Sequence, residues 1–343
     1  MKISFGEIMS KYQSLIRFNS PIYVVSSATA VGSKEIEGPL GLYYDLSAQD
    51  DRFGTKTYEQ AESEMVKMGF ECCMKKSGIS VSDVDLVIGG DLQNQCVAHS
   101  FAMASTNTPY IGIYGACSSM AQGLALGAML LDGGKFNNIV CSASSHFSTS
   151  ERQFRFPLEY GLQRTPTSQT TVTGAASFLL SRKISSDIVI KSSLLGTICD
   201  AGIKDANNMG GAMAKAALST LQRYFFQTNS SPSDFDLVLT GDLGIEGASI
   251  VRENASIYSM KLGENYFDCG ELVYDTKKQR VFSGGSGCGC SAVVMGGYIM
   301  ERLRTNELRK VLFVGTGALL SSGSILQRLS IPGIAHLVEI ARR

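Results

Sequence analysis

The chain has no tryptophan, only three histidines (His99, His146 and His336) and no net charge, with 31 Lys+Arg against 31 Asp+Glu in 343 residues. Charge balance of this kind gives no sign of an electrostatic grip on nucleic acid, which needs a basic surface to displace counterions. Long apolar runs are also missing. The longest lies near residues 121–131, far short of the ~20 residues of a membrane span. Residues 1–20 are polar and broken by charges, without the roughly 7–15-residue apolar core of a secretory signal. The expectation is a soluble protein, or one held at a membrane by a partner. Charged residues make up only 18% of the chain, which argues against long disorder.

What is present is apolar side chain, glycine and cysteine. Hydrophobic residues reach 44%, enough for a large core, and 36 glycines suit tight turns and close backbone approach. The nine cysteines are Cys72, Cys73, Cys96, Cys117, Cys141, Cys199, Cys269, Cys288 and Cys290. An odd number in a chain of this length reads as reduced thiols. Cys288-Gly289-Cys290 lacks the spacing of a zinc site and is read as buried small side chains; no metal and no cofactor are expected.

The chain repeats itself. Asp83-Val-Asp-Leu-Val-Ile-Gly-Gly-Asp91-Leu92 returns as Asp234-Phe-Asp-Leu-Val-Leu-Thr-Gly-Asp242-Leu243, 151 residues later. Both copies read as a buried strand ending in a glycine turn and an aspartate. Before each lies a helical pattern, residues 57–77 (with Met65, Met68 and Cys72 on one face) and 208–228. A second pair follows. Gly115-Ala116-Cys117 opens a helix to about Leu131 and a strand over 138–142; Gly287-Cys288 opens a helix to about Leu303 and a strand over 310–315. The offset here is 171, which places about 20 extra residues near 261–280. Strands alternating with helices predict an α/β fold of two halves, residues 1–183 and 184–343, each with a largely parallel sheet, stacked as α/β/α/β/α. Residues 145–173 are polar, carry Pro157 and Pro166, and read as a long functional loop.

Cys117 sits where an apolar strand, 110–114, turns into a helix. Helix N–H groups and the helix dipole at such a turn stabilise a thiolate or a bound carboxylate; a buried small residue at a tight turn is the alternative. The duplicated halves with Gly-Ala-Cys-Ser in the first resemble the thiolases and the ketoacyl-acyl-carrier-protein synthases. That resemblance implies an acyl-accepting cysteine helped by two histidines, or a histidine and an asparagine. The chain departs from the pattern at both helper positions. Thr240-Gly241-Asp242-Leu243 follows the second-half strand, and Gly284 stands in the glycine-rich turn Phe282-Ser-Gly-Gly-Ser286-Gly287. Condensation needs a base and donors aimed at a carbonyl, so the resemblance implies a non-catalytic relative.

A narrower resemblance is carried by Glu37-Gly-Pro-Leu-Gly41, Gly89-Gly-Asp91-Leu-Gln-Asn94-Gln95, Tyr114-Gly-Ala-Cys117-Ser, Ser144-Ser-His146, Gln153-Phe-Arg155-Phe-Pro157-Leu-Glu-Tyr160-Gly161, Phe282-Ser-Gly-Gly-Ser-Gly-Cys288 and Gly315-Thr-Gly-Ala-Leu-Leu-Ser321. In order and spacing these are similar to the stage V sporulation protein AD family. The resemblance implies binding of dipicolinic acid (pyridine-2,6-dicarboxylate), alone or with calcium, and its uptake into the spore. It also implies membrane partners of the same operon and a place in the forespore, soluble or peripheral at the inner spore membrane.

A flat aromatic dianion needs donors or cations at two carboxylates and a slot for its ring. The candidates are Cys117, Asp91, Asn94, His146, Arg155, Asp242, Gly284 and Ser286, with Arg152 and Arg164 as further loop arginines. Asp91 and Asp242 are alternatively helix caps, and the arginines alternatively surface charges. The competing functions are a condensing enzyme using Cys117 with a non-standard base, Asp242 or His146, and a scaffold with a vestigial pocket. A homodimer is expected through an open sheet edge at residues 138–142.

Overall fold

The computed structural model describes residues 14–154 and 164–343. Each half contributes five principal strands. They are β1 Leu15–Val31, β2 Leu86–Gly90, β3 Tyr110–Gly112, β4 Asn138–Ser145 and β5 Gly174–Ser181, then β6 Ile188–Leu194, β7 Leu237–Thr240, β8 Tyr266–Asp268, β9 Lys310–Ala318 and β10 Pro332–Arg342. They form one hydrogen-bonded sheet in the order β8-β7-β9-β10-β6-β1-β5-β4-β2-β3. The order is mirrored about the antiparallel β1–β6 pair, where the halves join.

The sheet is less parallel than the sequence led us to expect. In each half the inner strand pairs in parallel with two neighbours, β2 with β3 and β4, β7 with β8 and β9. The last strand runs antiparallel to both of its neighbours. A parallel neighbour requires a crossover back along the sheet. The chain between β4 and β5 makes none, so β5 returns in the opposite direction.

The principal helices are α1 Tyr58–Ser77, α2 Val97–Met103, α3 Ser119–Asp132, α4 Phe147–Phe154, α5 Met209–Thr228, α6 Gly244–Asn254 and α7. Helix α7 starts at Cys288–Val293 and continues through a π-helical turn, Val294–Ile299, into Met300–Arg304. The duplicated helices start and stop by local chemistry. Thr57 Oγ1 and Asn208 Oδ1 accept the N–H groups of Gln60 and Gly211 at 3.2 and 3.1 Å. Gly78 and Asn229 end the two helices in the left-handed region. Met68 and Cys72, expected on the buried face with Met65, lie at its half-buried margin, and Phe70 and Cys73 take the core positions.

Three apolar layers make the five-layer stack. α1 covers one face of the first half, with Met65, Phe70 and Cys73 against Val87, Val140 and Leu179. α5 covers the outer face of the second, with Leu221 and Tyr224 beside Val238 and Leu312. α3 and α7 fill the middle, where Met120, Leu124 and Val293 meet side chains of both halves. Most of the extra residues of the second half fall between β8 and α7, at 269–287, overlapping the C-terminal part of the expected stretch, 269–280. The long loop begins as helix α4, whose polar sequence between Phe147 and Phe154 carries no apolar stripe to reveal it.

Strand β4 is flanked by β2 and β5, so the proposed dimer seam at 138–142 is interior and has no free edge. The edges of the sheet are β3 and β8. No helix among the described residues is long and apolar enough to cross a membrane.

Candidate functional site

The turn after β3 delivers Cys117. Ala116 takes a left-handed conformation (φ 49°), an uncommon one for a residue with a Cβ. Ser118 and Ser119 tie the turn down, their hydroxyls donating to Gly115 O and Ala116 O at 2.6 and 2.7 Å. The N–H groups of the same two serines donate to the same two carbonyls, at 3.1 and 3.2 Å. These two donors of the helix start are therefore already used, contrary to the expectation of free N–H groups there.

Cys117 lies on the floor of a cavity of about 120 Å3. Ser286 shares the floor, its Oγ 3.9 Å from the Cys117 sulfur. Leu92, Met209, Ala318, Leu320 and Ile325 supply apolar lining, and Ser150, Glu151, Phe154, Arg164, Ser168 and Gln169 also line the cavity. Arg164 is an ion-paired partner of Glu151, donates to Gln169 O at 3.2 Å and lies 5.1 Å over the Phe147 ring.

Asp242 stands behind the floor and is fully buried. Its Oδ2 accepts from Ser286 Oγ and the Gly287 N–H, both at 2.9 Å, and its Oδ1 accepts from Thr316 Oγ1 at 2.9 Å. Burial, and then the neighbouring Asp242 carboxylate, push the Cys117 thiol well above its usual range. The thiolate expected at this helix start is thus disfavoured. A histidine partner would take the thiol proton and leave an attractive ion pair. A carboxylate leaves a buried thiolate beside a carboxylic acid, and proton transfer from thiol to carboxylate runs uphill.

The second helper position is closed. Gly284 has φ 102°, and a Cβ there would lie 2.4 Å from Gly270 O. Backbone crowding excludes a histidine or asparagine side chain at this turn.

The other sequence candidates fall elsewhere. Asp91 is sealed: Oδ1 accepts the Gln93 N–H at 3.0 Å, while Oδ2 accepts the His99 N–H at 3.1 Å and lies 3.0 Å from His99 Nδ1. His99 Nε2 lies 3.1 Å from Ser142 Oγ. This Asp-His-Ser chain has the order of a catalytic triad, but all three residues are buried and none lines the cavity. His146 also lies off the cavity wall. Its Nε2 donates to Asp51 O at 2.7 Å and its Nδ1 accepts the Ser148 N–H at 3.1 Å, which fixes one neutral tautomer, and burial lowers its pKa. Asn94 accepts from Gln153 Nε2 at 2.7 Å and lines a neighbouring polar groove. Arg152 is 58% exposed and pairs with Glu59. Arg155 lies outside the described residues. Cys288 and Cys290 are buried free thiols, and among the described residues no group of three or more His, Cys, Asp or Glu could hold a metal ion.

Three residues were not singled out from the sequence. Glu62 is buried and accepts from Gln93 Nε2 (2.8 Å), Ser144 Oγ (2.9 Å) and Thr149 Oγ1 (2.9 Å), joining α1 to α4. Gln169 donates to Asp242 O and Gly285 O at 2.7 and 2.8 Å. Asp268 accepts the N–H groups of Leu243, Gly244 and Gly270 at 3.0, 2.9 and 2.9 Å and sets the turn that presents Asp242. A buried acid on a helix face carries no sequence signal, because its donors come from distant segments.

Residues 12–341 match the family described as Stage V sporulation protein AD. The Stage V sporulation protein AD of Bacillus subtilis (strain 168) is 40% identical over 325 residues, covering 95% of this chain and 96% of that protein. The chain belongs to the stage V sporulation protein AD family. Solved structures place the family's fold among the thiolase-like enzymes. One is 3-oxoacyl-[acyl-carrier-protein] synthase III from Aquifex aeolicus, with TM-score 0.59, 11% identity and coverage of 93% of this chain and 99% of that one. Another is human mitochondrial 3-ketoacyl-CoA thiolase in complex with CoA, with TM-score 0.57, 11% identity and coverage of 96% and 100%. At such identities the likeness is one of fold.

Proposed function

We propose that this member of the family is a non-catalytic binding protein of spore formation. It holds dipicolinic acid, free or as its calcium chelate, in the cavity above Cys117 and supports uptake of the acid into the spore with membrane partners. The observation that carries the reading is the pairing of Asp242 with Cys117. The group beside the sulfur is a carboxylate already holding three donors, and it opposes the thiolate. Gly284 leaves no room for a second helper. The cavity has nevertheless stayed open, at about 120 Å3. That is comparable to the ~150 Å3 cavities known to admit benzene. Its apolar lining suits an aromatic ring, and Arg164, held by Glu151 and Gln169 O, presents a guanidinium that a ligand carboxylate would share with Glu151.

The same pairing speaks against a condensing enzyme with Asp242 as base, and the distance of His146 from the cavity wall speaks against His146 in that role. Calorimetric titration with dipicolinate, with and without calcium and against an acyl-thioester control, tests the proposal. One saturable site for dipicolinate and none for the thioester is expected; sustained thioester turnover would overturn it.

A further inference from the structure

The cavity is electrically one-sided. Among the described residues its walls carry one basic side chain, Arg164, and one acidic one, Glu151, which pair with each other. The floor is Cys117 and Ser286, backed by Asp242. The groups that reach the Asp242 carboxylate are two hydroxyls, one backbone N–H and the Cys117 thiol, all neutral. The titratable groups that face it are Cys117 before α3, Cys288 and Cys290 on α7, and Asp268 and Cys269 at the end of β8. None of these is basic.

Ser286 reinforces the asymmetry. Its proton is committed to Asp242 Oδ2 at 2.9 Å, so towards the cavity the oxygen has only lone pairs to offer. A ligand carboxylate on the floor would meet an acceptor, with a buried carboxylate behind it. A ligand O–H would meet a matching acceptor.

We propose that the floor of this cavity tolerates one negative charge and not two, so that a dicarboxylate binds with one carboxylate at Arg164 and takes up one proton from solvent on entering. The inference rests on reading the cavity as a carboxylate site. The proton bonds either to the floor-side carboxyl of the ligand, which then donates to Ser286 Oγ, or to Asp242, which frees the Ser286 hydroxyl to turn and donate to the ligand. Both arrangements add one proton to the complex and leave one negative charge on the floor, shared between Asp242 and the ligand, where two would otherwise face each other. Free dicarboxylates are ionised at neutral pH, so the proton must come from the buffer.

The test is calorimetry on the full chain in EDTA at pH 7, with dipicolinate in phosphate and in Tris, whose ionisation enthalpies differ. Uptake of about one proton per ligand is expected, and affinity should fall by up to tenfold per pH unit between about pH 6 and 8. Picolinate, with a single carboxylate, should bind without uptake and with a flat profile. Dipicolinate binding that ignores both buffer and pH overturns the inference while leaving the carboxylate site standing, and so does equal uptake by picolinate. If neither acid binds, the carboxylate-site reading itself fails. Asp242→Asn should abolish uptake; should that variant not fold, the two-buffer comparison on the unaltered chain decides alone.

Discussion

Asp91 and Asp242 occupy equivalent turns 151 residues apart, and each holds a different structure. Asp91 grips the start of α2 through the His99 N–H and ring, inside the first half. Asp242 reaches across to Ser286, Gly287 and Thr316, under the cavity floor. Duplication supplied the same strand, glycine turn and carboxylate twice. The second copy lies beside Cys117 under the cavity floor, so one aspartate anchors a helix and the other sets the charge of the site.

The first prediction concerns that charge. Cys117 is held as a thiol by burial and by Asp242. Alkylation by iodoacetamide at pH 7.5, followed by mass spectrometry, should label Cys117 more slowly than the half-buried Cys72 and Cys199. Asp242→Asn should speed it by about tenfold for each pKa unit recovered. Fast labelling of Cys117 in the unaltered protein would show a thiolate and remove the argument against catalysis.

The second concerns the ligand. Cys117 acts as floor and not as nucleophile, so Cys117→Ser should keep most dipicolinate binding and Cys117→Trp should block the cavity by bulk. Arg164→Ala should cost about 1.5–3 kcal/mol, the range for a hydrogen bond to a charged group, or roughly 10- to 150-fold in affinity. Arg152→Ala should change little, because that side chain is exposed on the neighbouring groove. Tight binding by Cys117→Trp, read by titration calorimetry, would move the ligand to another place.

The third concerns stability. Glu35 and Asp268 are fully buried, and burial pushes both carboxyls up to about 7. Glu62 is raised as well, by burial first and then by the charge of Asp91. Unfolded carboxyls titrate near 4. Between about pH 4 and 7 the folded chain therefore binds more protons than the unfolded one, and unfolding free energy falls as pH rises. The contribution is complete below the unfolded pKa values and is lost as pH passes through the folded ones. Each carboxyl contributes on the order of a few kcal/mol. Thermal unfolding should show a lower Tm at pH 8 than at pH 5.5, and Glu35→Gln should shrink the difference. A Tm that climbs over this interval would contradict the assignment.

The repeat was legible in the sequence because strand, turn and cap are local. The Asp83 and Asp234 strings, the Thr57 and Asn208 starts and the Gly78 end all rest on neighbours within a few residues. Gly284 was legible too, since a missing side chain shows in the sequence. What escaped was anything set by packing between segments far apart in the chain. Asp242 reaches Thr316 from 74 residues away, and Gln169 reaches Gly285 from 116. Local sequence does not reveal that the strand over 138–142 is interior, because strand order is a property of the whole sheet.

The last prediction concerns assembly, where the interior position of β4 moves the proposed seam of a homodimer. β3 is the first-half edge, with unpaired backbone groups along one side. Beside it lie Phe101 on α2 at 72% exposure, Ile111 at 47% and Tyr114 at 47%. An apolar edge of this kind invites pairing with a second strand. Two-fold pairing of β3 with the β3 of a second copy is self-complementary, continues the sheet and covers these side chains. β8, the other edge, is just as short but carries Asp268, whose carboxylate is used within its own turn. Sedimentation at micromolar concentration should give a dimer for the unaltered chain. Ile111→Lys, which places like charges opposite each other across the two-fold axis, should shift it to monomer by at least tenfold in the dissociation constant, about 1.4 kcal/mol. Phe267→Lys on β8 should leave the dimer intact. A monomer in the unaltered protein would refute the seam, and loss of the dimer with Phe267→Lys but not with Ile111→Lys would transfer it to the other edge.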